Sequence, residues 1–598
     1  MLLDVHETFT RALGSHQAGK FAEAEGLYRN VLSVDPRHKQ SLRLLGVVLL
    51  AQRKPAEALD PVMRTLQTEE TAEAKALFVQ CIKELQPRRR RDDVRNLLAR
   101  ALSEGWTRPG DLGRVSAGYV KLEPAVKETL EEVSVAWPRR IGARDLSWAG
   151  LGAIVADPLL VTLLAATPIA DVALEQLLSE IRNVLLEIAA GTAVPGVSEK
   201  SLLRFACALA RQCFLNDYVY SSDDEESARA ERLRSQLAEA LRNDAAIPPL
   251  WPVVAGTYAP LHEVPGAERL LQKSWPEEVT AVLKQQVAEP LEERQLRDSI
   301  PRLTSIDDRV SLKVQQHYEE NPYPHWQKAG TPTPVTFDRL LRDRFPQARV
   351  RVPEKAGAVD ILIAGCGTGQ HSIETAQQVV GARVLAIDLS LNSLSYALRK
   401  TRAAGVKNIE YAQADILKLA PIGRTFDLIE AGGVLHHLDD PLEGWRILLT
   451  LLRPGGFMRL GLYSETARAD ITAVHAFIAS RGYRSADVHR CRQDLMSVEN
   501  DPAIEKVRQR SDFFTTRACR DLLFHVHEHP LTLPQIERFL RQHDLTFLGF
   551  DIDARVVARY RTRFPDDPAM TNLGLWQVFE TENPTTFAGM YQFWVQKP

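Results

Sequence analysis

Hydrophobic positions divide the chain into two halves of different rhythm. Up to about residue 300 they return every three or four places, as in Leu174-Glu-Gln-Leu-Leu-Ser-Glu-Ile-Arg-Asn-Val-Leu-Leu-Glu-Ile188 and Leu202-Leu-Arg-Phe-Ala-Cys-Ala-Leu-Ala-Arg-Gln-Cys-Phe214, the period of helices that bury one face. After about residue 350 short β-branched and aromatic runs alternate with helical stretches, at residues 360–364, 383–387, 409–412, 426–430, 457–463, 545–550 and 590–595. Seven strands interleaved with helices predict an α/β, Rossmann-like sheet, mostly parallel and doubly wound, behind an all-α first half. In such a sheet ligands sit beyond the carboxyl ends of the strands.

The first helices repeat. Phe21-Ala-Glu-Ala24 falls on Pro55-Ala-Glu-Ala58 at an offset of 34 residues, and the same offset carries Ala12 onto Gly46 and Leu32 onto Leu66. With Asp35-Pro36 closing the second helix, residues 8–70 resemble tetratricopeptide (TPR) repeats, whose stacked helix pairs offer a surface to other chains. A third unit does not register, and an ordinary helical hairpin stays open as the alternative. The organisation expected is TPR-like repeats over 1–105, a helical middle domain over 106–305, and the sheet domain over 306–598 with a helical insertion at about 464–544.

Composition narrows the partners. With 45% hydrophobic and 25% charged residues and a formal net charge of −3 over 598 residues, the chain has no global field for nucleic acid, so none is expected as a partner. The basic run from Arg88 to Arg91 meets Asp92 and Asp93 at once and reads as a solvated linker before a helix ending near Gly105. Six cysteines without CxxC pairs fit a reducing, cytoplasmic setting. The start Met1-Leu-Leu-Asp4 lacks a basic segment with an apolar run, and the most apolar stretch, 148–174, is broken by Asp157-Pro158 and Pro168; no membrane span is expected.

Chemistry concentrates in the second half. Ala364-Gly-Cys-Gly-Thr-Gly369 ends the first strand and opens a helix, so Gly365, Gly367 and Gly369 let the backbone approach a ligand whose anionic group meets the helix N-terminus. A dinucleotide fingerprint would need glycine where Gln370 stands. Asp388, at the end of the second strand, is placed to accept both hydroxyls of a ribose. Asp415, after the third, is placed for an adenine amino group, with Leu389 and Ile416 as apolar faces for the base. Glu430-Ala-Gly-Gly-Val-Leu-His-His-Leu-Asp-Asp-Pro441 and Leu451-Leu-Arg-Pro-Gly-Gly-Phe457 follow the fourth strand and precede the fifth.

In this order the motifs resemble class I S-adenosylmethionine-dependent methyltransferases, strongly over residues 310–470, here of a bacterial type that carries TPR-like repeats. The resemblance implies S-adenosylmethionine as cofactor and in-line attack of a nucleophile on its methyl group. One departure stands out: many members carry an acid two places before the first glycine, where this chain has Ile363, so the donor's amino group is expected on backbone carbonyls at Gly365 or Ala431. Candidates for removing a proton from the acceptor are His436, His437 and Glu430, with loop packing the alternative for the two histidines. Tyr318, Tyr323 and Trp326, in Tyr318-Glu-Glu-Asn-Pro-Tyr-Pro-His-Trp326, are expected to form a lid or acceptor contact, or an interdomain cluster. Within the insertion, His525, His527 and His529 would share one side if extended, but no fourth ligand is apparent; the run reads as an amphipathic or helical segment, and no metal is expected. Three functions follow: methyl transfer to a protein or peptide presented by the repeats, transfer to a small molecule or glycan with the repeats serving protein–protein assembly, or a non-catalytic scaffold that binds the nucleoside.

Overall fold

The computed structural model describes residues 4–142, 147–193, 195–347 and 357–598. It opens with helices α1 (Val5–Gln17), α2 (Phe21–Val34), α3 (Lys39–Ala51) and α4 (Pro55–Thr68). Each bound of the second pair lies 34 residues beyond that of the first. Asp4 starts α1 by accepting the N–H groups of His6 and Glu7. Ala24 and Ala58, at matching positions, are fully buried. Where α1 has Ala12, α3 has Gly46 because a Cβ there would lie 2.7 Å from Val62 Cγ2. The next helices, Ala72–Ile82 and Asp92–Glu104, leave the repeat, and the second of them packs on helix Pro158–Ala166. One apolar core runs from Ala12 to Val287 without dividing at the expected boundary at 105.

In the apolar stretch after residue 147, helices Trp148–Ala156 and Pro158–Ala166 meet at 62°. Asp157 ends the first and caps the second by accepting from Leu159 and Leu160. Among the described residues no single helix is long and apolar enough to cross a membrane.

All seven expected strands form: β1 (Val359–Ala364), β2 (Ala382–Asp388), β3 (Ile409–Gln413), β4 (Phe426–Gly432), β5 (Leu452–Leu462), β6 (Thr546–Phe550) and β7 (Tyr591–Gln596). Their order is β3-β2-β1-β4-β5-β7-β6. The first five are parallel, and β7 enters antiparallel between β5 and β6. Alternation along each strand buries Leu362, Leu385, Ile429 and Met458 on one face and Ile361, Val384, Leu428 and Phe457 on the other, the mark of a sheet covered by helices on both sides.

The insertion is helical as expected, but only its helices between Ala469 and Phe524 share a core of their own, built on Ile471, Val474, Cys491, Leu495, Phe513 and Phe514. Helix Leu533–Gln542 packs into the sheet layer through Leu533, Ile536 and Phe539. Arg492, buried in this cap, holds Glu175 of the helical half with both nitrogens, at 2.7 and 2.6 Å.

Candidate active site

A cavity of about 580 Å³ opens at the carboxyl ends of β1, β2 and β4. Its inner wall is the glycine loop. Gly365, Gly367 and Gly369 have φ of 75°, 51° and 81°, the left-handed region that glycine enters at little cost. Space enforces them too: a Cβ at Gly369 would lie 2.5 Å from the Ala397 Cβ, and one at Gly367 would lie 2.9 Å from the Tyr323 carbonyl oxygen. The chain before the sheet is thus pressed against this loop.

Asp388 ties the loop to the end of β2. One carboxylate oxygen accepts from Gly367 N at 2.8 Å and the other from Ser390 N at 2.9 Å. Burial pushes its pKa up, against the N–H groups of Ser390, Gly367 and Leu389, which hold it down. Asp415 is fully buried; its Oδ1 accepts from Leu417 N at 2.9 Å, while Oδ2 has no hydrogen-bond partner among the described residues, although the Ser311 hydroxyl is close enough to help hold the carboxyl down. Burial raises this carboxyl as well. An unsatisfied buried oxygen on a cavity wall is costly unless something in the cavity donates to it. Leu389 and Ile416 line the same wall. A purine ring whose amino group meets Asp415 and whose ribose meets Asp388 therefore fits the residues present, and the separation between these acids follows from the adjacent ends of β2 and β3.

The aromatic segment before the sheet divides. Tyr318 and Tyr323 line the cavity, whereas Trp326 does not. Trp326 is packed with Ile373 and Tyr396, and its Nε1 donates to Thr368 O at 3.2 Å. The expected acceptor contact at Trp326 is thereby corrected: the indole is a prop behind the glycine loop. Sequence reading missed Glu319, whose carboxylate accepts from Leu391 N at 2.8 Å and Asn392 N at 3.2 Å and so fastens the same segment to the first turn of helix Leu391–Ala403.

The loop after β4 sorts the three base candidates. His436 is fully buried, stacked on Tyr463 at 3.7 Å, and absent from the cavity wall; burial drives its pKa well below the usual histidine value. It is a packing residue. His437 lines the cavity, and its Nδ1 lies 3.0 Å from the carbonyl oxygen of His527. A carbonyl only accepts, so the proton sits on Nδ1 and Nε2 keeps its lone pair. Burial lowers the His437 pKa to about 4, keeping the ring neutral. Glu430 lines the cavity but is engaged with His371 Nε2 at 2.7 Å and Thr375 Oγ1 at 3.1 Å. Burial alone would raise its pKa, yet His371, with Arg459 and Thr375, brings it to about 2. A carboxylate so firmly ionised is a poor proton acceptor at neutral pH, and the expectation of a base at Glu430 is corrected. Ala431 turns its methyl into the core, so Gly432 and Gly433 form the wall there instead.

Opposite the glycine loop, the cap contributes residues that no motif announced. The Tyr318 hydroxyl donates to Asp521 at 2.9 Å, the Tyr323 hydroxyl donates to Asp512 at 3.1 Å, and Tyr463 completes the aromatic wall. Burial raises the Asp512 carboxyl, and Asp521 nearby adds to this. Asp521 is buried too, but His317 and His525 hold its pKa below the usual range. Among the described residues neither carboxylate forms an ion pair with a Lys or Arg, the closest base being His317, 3.7 Å from Asp521. Arg468 and Arg510, which also line the cavity, are engaged with Glu528 at 2.6 Å and Asp470 at 3.1 Å.

The run from His525 to His529 is neither helical nor strand, which corrects the expected helical segment. His525 packs inward, its ring 3.8 Å from that of His437, while His527 and His529 turn to Asp439 at the surface. His317, Asp521 and His525 lie close enough together to share an ion. However, His525 Nδ1 accepts from His527 N at 3.1 Å, which leaves the proton of the neutral ring on Nε2, the nitrogen that faces Tyr318 at 3.4 Å. A protonated nitrogen has no lone pair for a metal.

Residues 361–456 match a family described as "Methyltransferase domain"; this segment runs from β1 into β5 and includes the glycine loop, Asp388, Asp415 and the loop after β4. Over 263 residues the chain is 29% identical to an uncharacterized protein of Synechococcus sp., covering 41% of this chain and 61% of that one. It is 30% identical over 165 residues to phosphoethanolamine N-methyltransferase 3 of Arabidopsis thaliana, covering 27% and 32%. It is 33% identical over 135 residues to the ubiquinone biosynthesis O-methyltransferase of Methylocella silvestris, covering 23% and 49%. The chain thus spans less than two thirds of each of these relatives. It carries a methyltransferase domain, and the residues lining its cavity fit S-adenosylmethionine.

Proposed function

We propose that the protein transfers a methyl group from S-adenosylmethionine to an amine on a protein or peptide. The observation that carries the donor half is the pairing of the left-handed glycine loop with two acids on one wall, one of them, Asp415, with an oxygen left without a hydrogen-bond partner among the described residues. Gly365, Gly367 and Gly369 would cradle the donor, Asp388 would hold its ribose and Asp415 its adenine, between Leu389 and Ile416. Bound there, S-adenosylmethionine supplies both the methyl group and the leaving group, so the chain need only align the acceptor and exclude water.

The acceptor half rests on buried Asp521 and half-buried Asp512, neither of which forms an ion pair with a Lys or Arg among the described residues, set among Tyr318, Tyr323 and Tyr463. Buried negative charge favours a cation, and aromatic faces favour an ammonium over a hydroxyl. His437, neutral and with Nε2 as its lone-pair nitrogen, would accept a hydrogen bond from the amine and turn it towards the methyl group, the amine's proton leaving to solvent before attack. The helix pairs α1–α2 and α3–α4 act in this reading as TPR-like repeats that hold the macromolecule bearing the amine. A small-molecule acceptor is the second reading, favoured by the names of two relatives, and would leave the repeats to assembly.

Incubating the purified protein with methyl-labelled donor and a cell lysate, then separating macromolecules from small compounds and hydrolysing the labelled fraction, tests both halves. Label recovered as N-methyl groups on protein is the expected result. Label in small amines selects the second reading, label in esters or ethers removes the amine, and no transfer at all leaves a nucleoside-binding scaffold.

A further inference from the structure

Position 363, two before the first glycine, is apolar, and the structure shows what stands beside it. In the parallel pairing of β1 with β4, Ile363 is the register partner of Glu430. Register partners on neighbouring strands put their side chains on the same sheet face, about 4.8 Å apart. Both residues line the cavity. Glu430 Oε2 is occupied by His371 and Thr375, whereas the cation beside Oε1 among the described residues is Arg459, its Nη1 at 3.8 Å. Arg459 in turn is held through Nη2 by Asp551 at 3.1 Å and Gln592 at 3.3 Å, which leaves Nη1 beside His371 Nε2, at 3.3 Å. A carboxylate oxygen with unused acceptor capacity thus sits next to the Arg459 guanidinium on the cavity wall beside the glycine loop. An α-amino acid presents the complementary pattern, an ammonium one bond from the carbon that bears a carboxylate.

We propose that Glu430 is the counter-charge for the ammonium of the donor's amino-acid end, replacing from β4 an acid that β1 does not supply, while Arg459 seats the adjacent carboxylate. The inference rests on the donor reading above. It makes Glu430 a binding residue, and it makes Thr375 and His371 the groups that fix its rotamer. The expected backbone contacts at Gly365 or Ala431 become secondary, since a carboxylate offers a charge-assisted bond that a carbonyl does not.

Calorimetric binding of three probes tests this: S-adenosylhomocysteine, its deaminated analogue that keeps the carboxylate, and methylthioadenosine, which lacks the amino-acid end. The unmodified protein should bind the deaminated analogue about tenfold to hundredfold more weakly than S-adenosylhomocysteine, the range of one charged hydrogen bond. Glu430→Gln should bring the two affinities within about threefold, weaken S-adenosylhomocysteine by that same factor and leave methylthioadenosine unchanged. Ile363→Glu in the Glu430→Gln background should restore part of the preference for the amine. Equal binding of the first two probes by the unmodified protein overturns the proposal without any variant. Loss of all three probes alike in Glu430→Gln overturns it too, because the residue would then only shape the cradle. If the unmodified protein binds none of the probes, the donor reading fails first and takes this inference with it.

Discussion

Replacing Asp388 by Asn changes one atom and almost no volume, yet it removes an acceptor from a carboxylate that serves two N–H groups and, in this reading, the ribose. In the free protein the carboxylate accepts from Gly367 N and Ser390 N, at 2.8 and 2.9 Å, through different oxygens. An amide has only one acceptor oxygen, so one of these N–H groups would face an NH₂ group. An unsatisfied N–H costs about 1–3 kcal/mol, and part of that cost falls on the glycine loop that shapes the donor seat. The ribose hydroxyls lose a charged acceptor as well, worth about 1.5–3 kcal/mol. Binding of S-adenosylhomocysteine should therefore weaken about tenfold to 150-fold, each 1.4 kcal/mol being a factor of ten. Calorimetry on Asp388→Asn, paired with urea unfolding without ligand, separates the two contributions. A 2′-deoxy analogue isolates the ribose: it should bind the variant nearly as well as the parent nucleoside does. An affinity within threefold of the original in Asp388→Asn would refute the ribose assignment.

Two further outcomes follow from buried charge. Arg492→Ala should destabilise the protein by about 3–5 kcal/mol, the cost of stranding a buried carboxylate, because Glu175 is 2% exposed and accepts hydrogen bonds from both Nη groups of Arg492; an unchanged urea midpoint would show that the pair is solvated. His525→Asn should reduce the acid sensitivity of folding. Burial holds the His525 pKa at about 2, below the ordinary histidine value of about 6.5. The unfolded chain therefore takes up a proton that the folded chain refuses, and the stability present above that pH is lost as the pH falls. Between pH 7.5 and 5.5 this site accounts for about 1.4 kcal/mol. The unmodified protein should lose that much more than the variant over this interval, and equal losses would mean that His525 titrates normally when folded.

The donor side was legible because its requirements are local. Glycines with positive φ and acids at strand ends are dictated within a few residues, and the alternation of apolar runs locates the strand ends. Local spacing fails where neighbours diverge. His436 and His437 are adjacent, but a short 3₁₀ turn over Leu435–His437 sends the first ring against Tyr463 and leaves the second on the cavity wall. Nothing in the sequence sets that rotation. The segment from His525 was misread for a similar reason: Pro530 disfavours helix at His529, and the helix stops at Phe524 because His525 turns inward to the other imidazoles. Asp512 and Asp521 belong to the cap, in helices whose pattern reports only their own small core. Their role depends on how the cap docks over Tyr318 and Tyr323, a long-range relation without a spacing signature. Glu430 was noticed for its position after the apolar run of β4, but its partner Ile363 lies 67 residues away in sequence and beside it only through strand register.

Docking of the cap depends in turn on the helical half, which is more than an appendage. Arg108 lines the cavity and binds Glu374 through Nε at 2.7 Å, and Glu374 also receives Gly330 N at 2.7 Å. Asp217 lies 3.0 Å from His325 Nδ1 and 3.2 Å from Arg517 Nε, so one half-buried acid of the helical half joins the aromatic segment to the cap. Glu175 anchors the cap from a second point through Arg492. The helical half makes these contacts through Arg108, Glu175 and Asp217. The repeat pairs touch the sheet side more lightly, as in Arg53 donating to the Ala554 carbonyl at 2.7 Å, an exposed bond remote from the cavity wall. Among these contacts, those on the cavity side come from the middle helices, which position the segment bearing Tyr318 and Tyr323 and the cap bearing Asp512 and Asp521.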